Sequence, residues 1–518
     1  MPFPRKVLVA NRGEIAVRVV RACREVGAEA VAVFSEVDRR ALHVRLADEA
    51  YPIGEAKAQK SYLDIEKLVS VARRAGCDAV HPGYGFLAEN AAFVEAVERA
   101  GIAFLGPDPH TMRTLGDKIA ARKEATAAGV PTVPGGVEPV RDESDLEARA
   151  LEVGYPLVIK AAGGGGGKGI RIVREPRDLF SAYRLASSEA GSAFGDARVY
   201  VERFLEAARH VEVQLLGDGR GAVVALGERE CSLQRRQQKL VEETPAPGIG
   251  AETRLALLEA AASLGRRLAY RSAGTVEFLV SGGDRFYFME VNARLQVEHP
   301  VTELVTGLDL VKEQLRIGAG EPLGYTQAEV LERRRGAAIE VRVNAEDPGL
   351  GFAPSAGTID ALRLPGGPGV RVDTGLTVGD KVTLHYDSLL AKLSVWGRDR
   401  AEAAARLRRA LAEMRVGGVA TTIAFLRRLV ASPEFERADF HIHFLEPFAR
   451  AVAAEAPGEE EAAAAALAVA LRRAAGAGAG TGAGADPSAG RDGRATGDPS
   501  PWARAGRYQD LGRSGGRP

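Results

Sequence analysis

The sequence predicts a mixed α/β and α+β protein. An N-terminal parallel-sheet domain comes first, then a small lobe around a glycine loop, then a strand-rich C-terminal domain. Three observations carry this expectation. Short apolar strands alternate with helical periodicity between residues 6 and 115, which implies a mostly parallel sheet covered on both faces. A glycine run at 163–169 is bracketed by two apolar strand-like segments. From 206 to about 447 strand patterns dominate, and past about 450 the composition collapses into Ala, Gly, Arg, Asp and Pro.

Taken in order, 6–10 and 30–34 read as strands around a helix at 15–26. A helix at 63–75, a strand at 79–81, a helix at 93–100 and a strand at 102–105 complete the first region. Its first strand-to-helix turn, Asn11-Arg-Gly-Glu14, lacks GxGxxG, so nicotinamide binding is poorly supported. The small lobe at about 133–205 holds strands at 155–160, 170–173 and 199–205 and a helix near 178–190. An Ala-rich helix is expected at 459–475, within a tail that otherwise reads as disordered.

The densest chemistry lies in Glu290-Val-Asn-Ala-Arg-Leu-Gln-Val-Glu-His-Pro300. Upstream, Thr275-Val-Glu-Phe-Leu-Val280 and Phe286-Tyr-Phe-Met-Glu290 flank Ser281-Gly-Gly-Asp284, a β-hairpin pattern. A turn centred between Gly283 and Asp284 sets Glu277 opposite Glu290 and Leu279 opposite Phe288, with Asn292 on the Glu290 face. Opposed carboxylates repel unless a positive charge lies between them, and a hard cation such as Mg²⁺ meets that need. The bland alternative is a solvated edge hairpin.

Gly163-Gly-Gly-Gly-Gly-Lys-Gly169 is either a flexible linker or a hairpin tip whose backbone N–H groups wrap phosphate oxygens. It is not a Walker A loop, since Ala162 stands at the first glycine and Gly169 at the hydroxyl position. Lys160 and Lys168 flank it, and its glycine density suits a closing lid. Glu202-Arg-Phe-Leu205 ends a strand, where backbone groups can read a base edge between Phe204 and Leu205, although an ordinary strand end looks the same. The polar run Cys231–Lys239 is equally a solvated face or a site, and Lys118 alone says little.

At 518 residues the chain holds two to four domains. The 69 basic and 69 acidic residues cancel, which argues against nucleic acid or an anionic membrane as partner. Cys23, Cys77 and Cys231 form no CxxC motif, which suits a reducing compartment and argues against a disulfide framework or zinc site. With no signal-peptide core or membrane-spanning apolar run, the expected location is the cytoplasm.

Together these segments resemble the ATP-grasp superfamily, and in detail the biotin carboxylases. Val9-Ala-Asn-Arg-Gly-Glu-Ile-Ala16, His81-Pro-Gly-Tyr-Gly-Phe-Leu-Ala-Glu-Asn90 and the glycine loop carry the resemblance. So do Gln234-Arg-Arg-Gln-Gln-Lys239, Pro245-Ala-Pro-Gly248, Glu290 to Glu303, Glu340-Val-Arg-Val-Asn-Ala-Glu-Asp347 and His385-Tyr-Asp-Ser-Leu-Leu-Ala-Lys392. The resemblance implies a pre-ATP-grasp domain at 1–115, an ATP-grasp domain at 116–320 with a mobile lid at about 133–205, a C-terminal domain at 321–447 and a tail at 448–518. ATP would be bound by Lys118, Lys160, Gly166, Gly167, Glu202, Arg203, Phe204, Leu205, His210, Gln234, Gln237 and Leu279, together with Glu277 and Glu290. Glu277, Glu290 and Asn292 would hold Mg²⁺ or Mn²⁺. Lys239, Arg294, Gln296 and the Val297 backbone would cradle bicarbonate, Glu298 would be the general base, and Arg342 would stabilise the biotin enolate.

Two departures stand out: Gln237 replaces a frequent histidine and Lys168 a frequent arginine. The chain has no Met-Lys-Met, so biotin is expected on a separate carrier protein, with a carboxyltransferase as further partner and a homodimer as the assembly. The final acceptor (acetyl-CoA, propionyl-CoA, another acyl-CoA or pyruvate) is left open. Two other readings are another ATP-grasp ligase and a nucleotide-binding scaffold without catalysis.

Overall fold

The computed structural model describes residues 3–136, 138–163, 169–282 and 284–454. Strands β1 (Lys6–Val9), β2 (Glu29–Ser35), β3 (Glu49–Gly54), β4 (Ala79–His81) and β5 (Ala103–Phe104) form a parallel sheet in the order β3-β2-β1-β4-β5. The alternation of strand and helix predicts this sheet but misses β3. That strand sits at the edge and contains Pro52, which cannot donate to a ladder and which masks the strand pattern.

The small lobe is a three-stranded antiparallel sheet of β6 (Leu157–Ala161), β7 (Ile170–Val173) and β8 (Val199–Arg203), covered by helices Glu143–Val153 and Leu179–Phe194. Pairing from Leu157↔Val173 to Lys160↔Ile170 makes the glycine run a hairpin tip rather than a linker. The tip residues Gly166, Gly167 and Lys168 lie outside the described residues.

The remaining large element is one eight-stranded antiparallel sheet. It contains β9 (Arg209–Asp218), β10 (Val223–Arg235), β11 (Gln238–Thr244), β12 (Arg271–Ser281), β13 (Arg285–Asn292), β14 (Ala337–Asn344) and the strands Val370–Thr374 and Leu389–Gly397. Its order is β13-β12-β9-β10-β11-β14, then Leu389–Gly397, then Val370–Thr374. The expected division near residue 320 is therefore bridged by a ladder, with Val241↔Val341 and Glu242↔Glu340 paired across it. Alternation sorts the two faces. Val211, Val213 and Leu215 of β9 enter the core shared with the N-terminal domain, while His210, Glu212 and Gln214 point the other way. At the far end Val341, Val343, Leu393 and Val395 pack beneath helices Arg400–Glu413 and Ile423–Val430. The polar face is covered by helix His299–Thr306, whose first turn begins at Glu298.

The β12–β13 register corrects one expectation. Glu277 does face Glu290, but a bulge follows, and Leu279 pairs with Tyr287 instead of Phe288. The loop joins Ser281 to Arg285 with three residues rather than two, and Met289 is the extra residue that restores the register. At the chain's end, helix Leu445–Ala454 carries packed structure past the expected boundary at 447, with Val452 buried. The expected helix at 459–475 lies outside the described residues. Among those described, no helix is long and apolar enough to cross a membrane.

Candidate active site

The site lies on the polar face of the large sheet. Register lines up Glu290, Glu277, Glu212 and Arg229 on four adjacent strands, β13, β12, β9 and β10. A row of three carboxylates requires cations, and the chain brings them from two directions. Arg229, fully buried, donates to Glu212 Oε1 at 2.5 Å and to Thr302 Oγ1 at 2.9 Å. Lys239 Nζ bridges Glu212 Oε2 at 2.5 Å, Glu277 Oε1 at 2.9 Å and Glu298 Oε1 at 2.7 Å.

Glu298 is the most enclosed member. Besides Lys239, it accepts from Arg342 Nη2 on Oε2 at 2.9 Å, and its side chain is 0% exposed. Burial acts to raise this carboxyl, but Lys239, Arg342 and Arg229 outweigh burial and hold it well below the ordinary range. Arg342 is in turn anchored through Nε to Glu242 Oε1 at 2.6 Å. The strand-end segment after β13 is tied back in similar fashion. Arg294 donates to Glu89 Oε2 at 3.0 Å, Gln296 Oε1 at 3.1 Å and Asn292 Oδ1 at 3.0 Å, while Gln296 Nε2 reaches Glu277 Oε1 at 3.2 Å. The Val297 carbonyl accepts from the fully buried Lys392 at 2.9 Å.

The expected metal ligands behave unequally. Glu277 is buried and accepts from Lys239, from Asn292 Nδ2 at 2.9 Å and from Gln296. Its second oxygen lies 3.3 Å from His210 Nε2. Burial would raise its carboxyl, but Lys239 and His210 hold it low. Glu290 instead turns to Lys118 Nζ at 3.1 Å and keeps 31% of its side chain exposed. Asn292 Oδ1 is engaged by Arg294. The tight cluster around Glu277 is made with His210 and Glu212, their ligand atoms within 4.8 Å of one another, rather than with Glu290. Hard carboxylate oxygens already facing ammonium groups suit Mg²⁺ chemically, so Glu277 and Glu290 fit such an ion. Asn292 joins them only by releasing Arg294.

Toward the lid, Asp117 caps the helix Lys118–Ala127, and the Lys118 amide bonds the Ala162 carbonyl at 3.0 Å, tying the glycine loop to that helix. Lys160 Nζ lies 2.5 Å from Glu202 Oε2, and Arg122 pairs with the same buried carboxylate. Arg203 spends its guanidinium on the Val153 carbonyl at 2.9 Å. The Phe204 ring packs on His443, with centroids 5.6 Å apart, and Leu205 is half-buried beside it. Leu279 lies next to His210 in register, and Gln234 opposite Lys239. Arg236 and Gln237 form the two-residue turn between β10 and β11, both with positive φ, and Gln237 is exposed there.

Motif reading misses Glu212, Arg229, Glu242, Glu89 and Lys392 as site residues. A signal existed for Glu212: His210, Glu212 and Gln214 alternate with apolar residues on a strand buried on both faces. Glu89 and Lys392 lie inside segments that carry the resemblance, but nothing local shows which neighbour they meet.

Residues 117–326 match the ATP-binding domain of the carbamoyl-phosphate synthase L chain. Residues 4–112 and 340–447 match the N-terminal and C-terminal domains of biotin carboxylase. A biotin carboxylase from Nostoc sp. is 49% identical over 441 residues, covering 85% of this chain and 98% of its own length. The chain belongs to the biotin carboxylase family. A biotin carboxylase from Pseudomonas aeruginosa is 50% identical over 442 residues, covering 85% of this chain and 98% of its own. The biotin carboxylase domain dimer of Hydrogenobacter thermophilus 2-oxoglutarate carboxylase, solved with MgADP, ADP and bicarbonate, superposes with a TM-score of 0.84 at 45% identity. It covers 88% of this chain and 99% of its own. As a biotin carboxylase, the protein is an ATP-dependent ligase that carboxylates biotin. The scaffold alternative, which requires an eroded site, is disfavoured by the intact Lys239–Glu298–Arg342 constellation.

Proposed function

We propose that this chain performs the first half-reaction of a biotin-dependent carboxylase at the junction of Glu298, Lys239 and Arg342. Bicarbonate occupies the ground between Lys239, Arg294, Gln296 and the Val297 backbone. The carrying observation is Glu298 held between two cations and shut away from solvent. Those cations keep it ionised, and they equally lower the proton affinity of a bicarbonate bound against them, so Glu298 can act as general base. The freed oxygen attacks the γ-phosphate of ATP, ADP departs, and carboxyphosphate breaks down to CO₂ and phosphate. That phosphate takes the ureido proton of biotin, and the resulting enolate attacks CO₂. Arg342 meets the developing oxyanion with a charge that no working pH removes.

ATP lies between the lid and the sheet, with Lys118, Lys160 and the lid backbone on its phosphates and residues 202–205, His210, Gln234, Gln237 and Leu279 toward the nucleoside. Glu277 and Glu290, with Asn292 once it is released from Arg294, hold Mg²⁺. This ion supplies positive charge against the phosphoryl oxygens during transfer. Lid closure over this pocket keeps water from carboxyphosphate. A biotinylated carrier protein and a carboxyltransferase are the partners, and the dimeric state of the Hydrogenobacter relative supports a homodimer.

The test is ADP release from ATP and Mg²⁺, with and without bicarbonate and free biotin. ADP release that requires bicarbonate and rises further with biotin is expected. Turnover indifferent to both would point to another ATP-grasp ligase.

A further inference from the structure

Glu242 and Glu340 sit directly opposite each other on β11 and β14, on the buried polar face of the sheet, and the carboxylation chemistry gives them no part. Each is 0% exposed. Each also has one oxygen satisfied: Glu242 Oε1 accepts from Arg342, and Glu340 Oε2 accepts from Ser394 Oγ at 2.6 Å. The other two oxygens, Glu242 Oε2 and Glu340 Oε1, are buried without a hydrogen-bond partner. Two ionised carboxylates facing each other across a ladder in a dry interior repel, and each leaves lone pairs unsatisfied. A single proton donated from one to the other removes both problems.

The neighbouring charges do not remove them. Arg342, Lys239 and the Glu298 carboxylate surround Glu242, while Lys392, Arg342, Ser394 and the Tyr84 side chain surround Glu340. Each cation is already divided. Arg342 serves Glu242 and Glu298, and Lys239 serves Glu212, Glu277 and Glu298. Lys392 lies 3.2 Å from Glu14 Oε1 and 3.8 Å from Asp373 Oδ2, and donates to the Val297 carbonyl. Among the described residues none of these cations bonds Glu340. Burial accordingly pushes the Glu242 carboxyl up to about 7 and the Glu340 carboxyl up to about 8, each raised further by a neighbouring carboxylate.

We propose that Glu242 and Glu340 share one proton and act as positioning residues that keep the Arg342 guanidinium turned toward Glu298. With the proton in place the pair carries one negative charge, and Arg342 reaches both Glu242 and Glu298. Loss of the proton puts a second negative charge behind Arg342 and draws the guanidinium back from biotin. The inference rests on the reading of Arg342 as the group that meets the biotin oxyanion.

The test measures rate against pH in the full chain with ATP, Mg²⁺, bicarbonate and free biotin. In Glu340→Gln a permanent amide donor stands where the shared proton was. The alkaline fall of the biotin-dependent rate should therefore move up by about one pH unit or more, the size of a like-charge effect. Bicarbonate-dependent ADP release without biotin should keep its profile. Ser394→Ala, which removes the donor favouring ionised Glu340, should move the same limb upward by less, and it serves if Glu340→Gln does not fold. An infrared band from a protonated carboxyl should be present at neutral pH and weaker in Glu340→Gln. An unmoved alkaline limb in both variants, or no such band in the parent, overturns the shared proton. If Arg342→Ser retains biotin carboxylation, it is the reading of Arg342 that fails instead.

Discussion

Glu290 and Glu298 lie a short way apart in one segment, yet the fold treats them in opposite ways. Glu290 keeps 31% of its side chain in contact with solvent and holds one lysine, Lys118. Glu298 has no exposure and both oxygens taken, one by Lys239 and one by Arg342. A carboxylate partly open to solvent exchanges one cation for another more cheaply than an enclosed one, because water screens part of the step. A buried one cannot lose a partner without leaving an uncompensated charge. The first arrangement suits a ligand that accepts an arriving metal–nucleotide complex, the second a base that must stay ionised and fixed.

The largest expected effect falls on the buried side. Glu298→Gln keeps the shape and removes the proton acceptor, so biotin carboxylation should fall by about 10²–10⁴-fold, the range of general-base catalysis. Nucleotide affinity, measured by ADP titration, should barely change. Equal losses in both would erase the contrast between the two ends. Arg342→Ser comes next, abolishing biotin-dependent turnover while bicarbonate-dependent ADP release persists. A parallel loss of both rates would assign Arg342 to phosphoryl transfer instead.

On the exposed side, Glu290→Gln should raise the Mg²⁺ concentration needed for half-maximal rate by roughly 10–100-fold, with activity recovering at saturating metal. Failure to recover would place Glu290 nearer the chemistry than its exposure suggests. The smallest effect is on stability. Burial holds the folded Glu340 carboxyl above its unfolded value, so the folded state binds more protons and loses stability as pH rises from the ordinary carboxylate range through about 8. Glu340→Gln lacks this loss. Its melting temperature should gain on the parent steadily across that window, and a constant gap would remove the raised carboxyl.

Much of the fold was legible because it follows periodicity. The parallel sheet, the glycine hairpin and the β12–β13 pair all rest on alternation that the chain displays locally. The parts that escaped have identifiable causes. β3 hides behind a proline at a sheet edge, and the bulge at Met289 depends on a three-residue turn that the Gly-Gly-Asp pattern does not distinguish from a two-residue one.

Strand alternation named Glu277 and Glu290 as facing residues from sequence, but the pairing holds because the Met289 bulge offsets the extra residue in the turn. The family motifs likewise name Lys239, Arg294, Glu298 and Arg342 without coordinates. Only the tertiary structure decided that Glu212 joins this row and that Lys239 ties three carboxylates together. It alone placed Glu242 and Glu340 face to face behind Arg342. Those contacts join strands far apart in the chain, and charge pairing of that range leaves no periodic trace in the residues that make it.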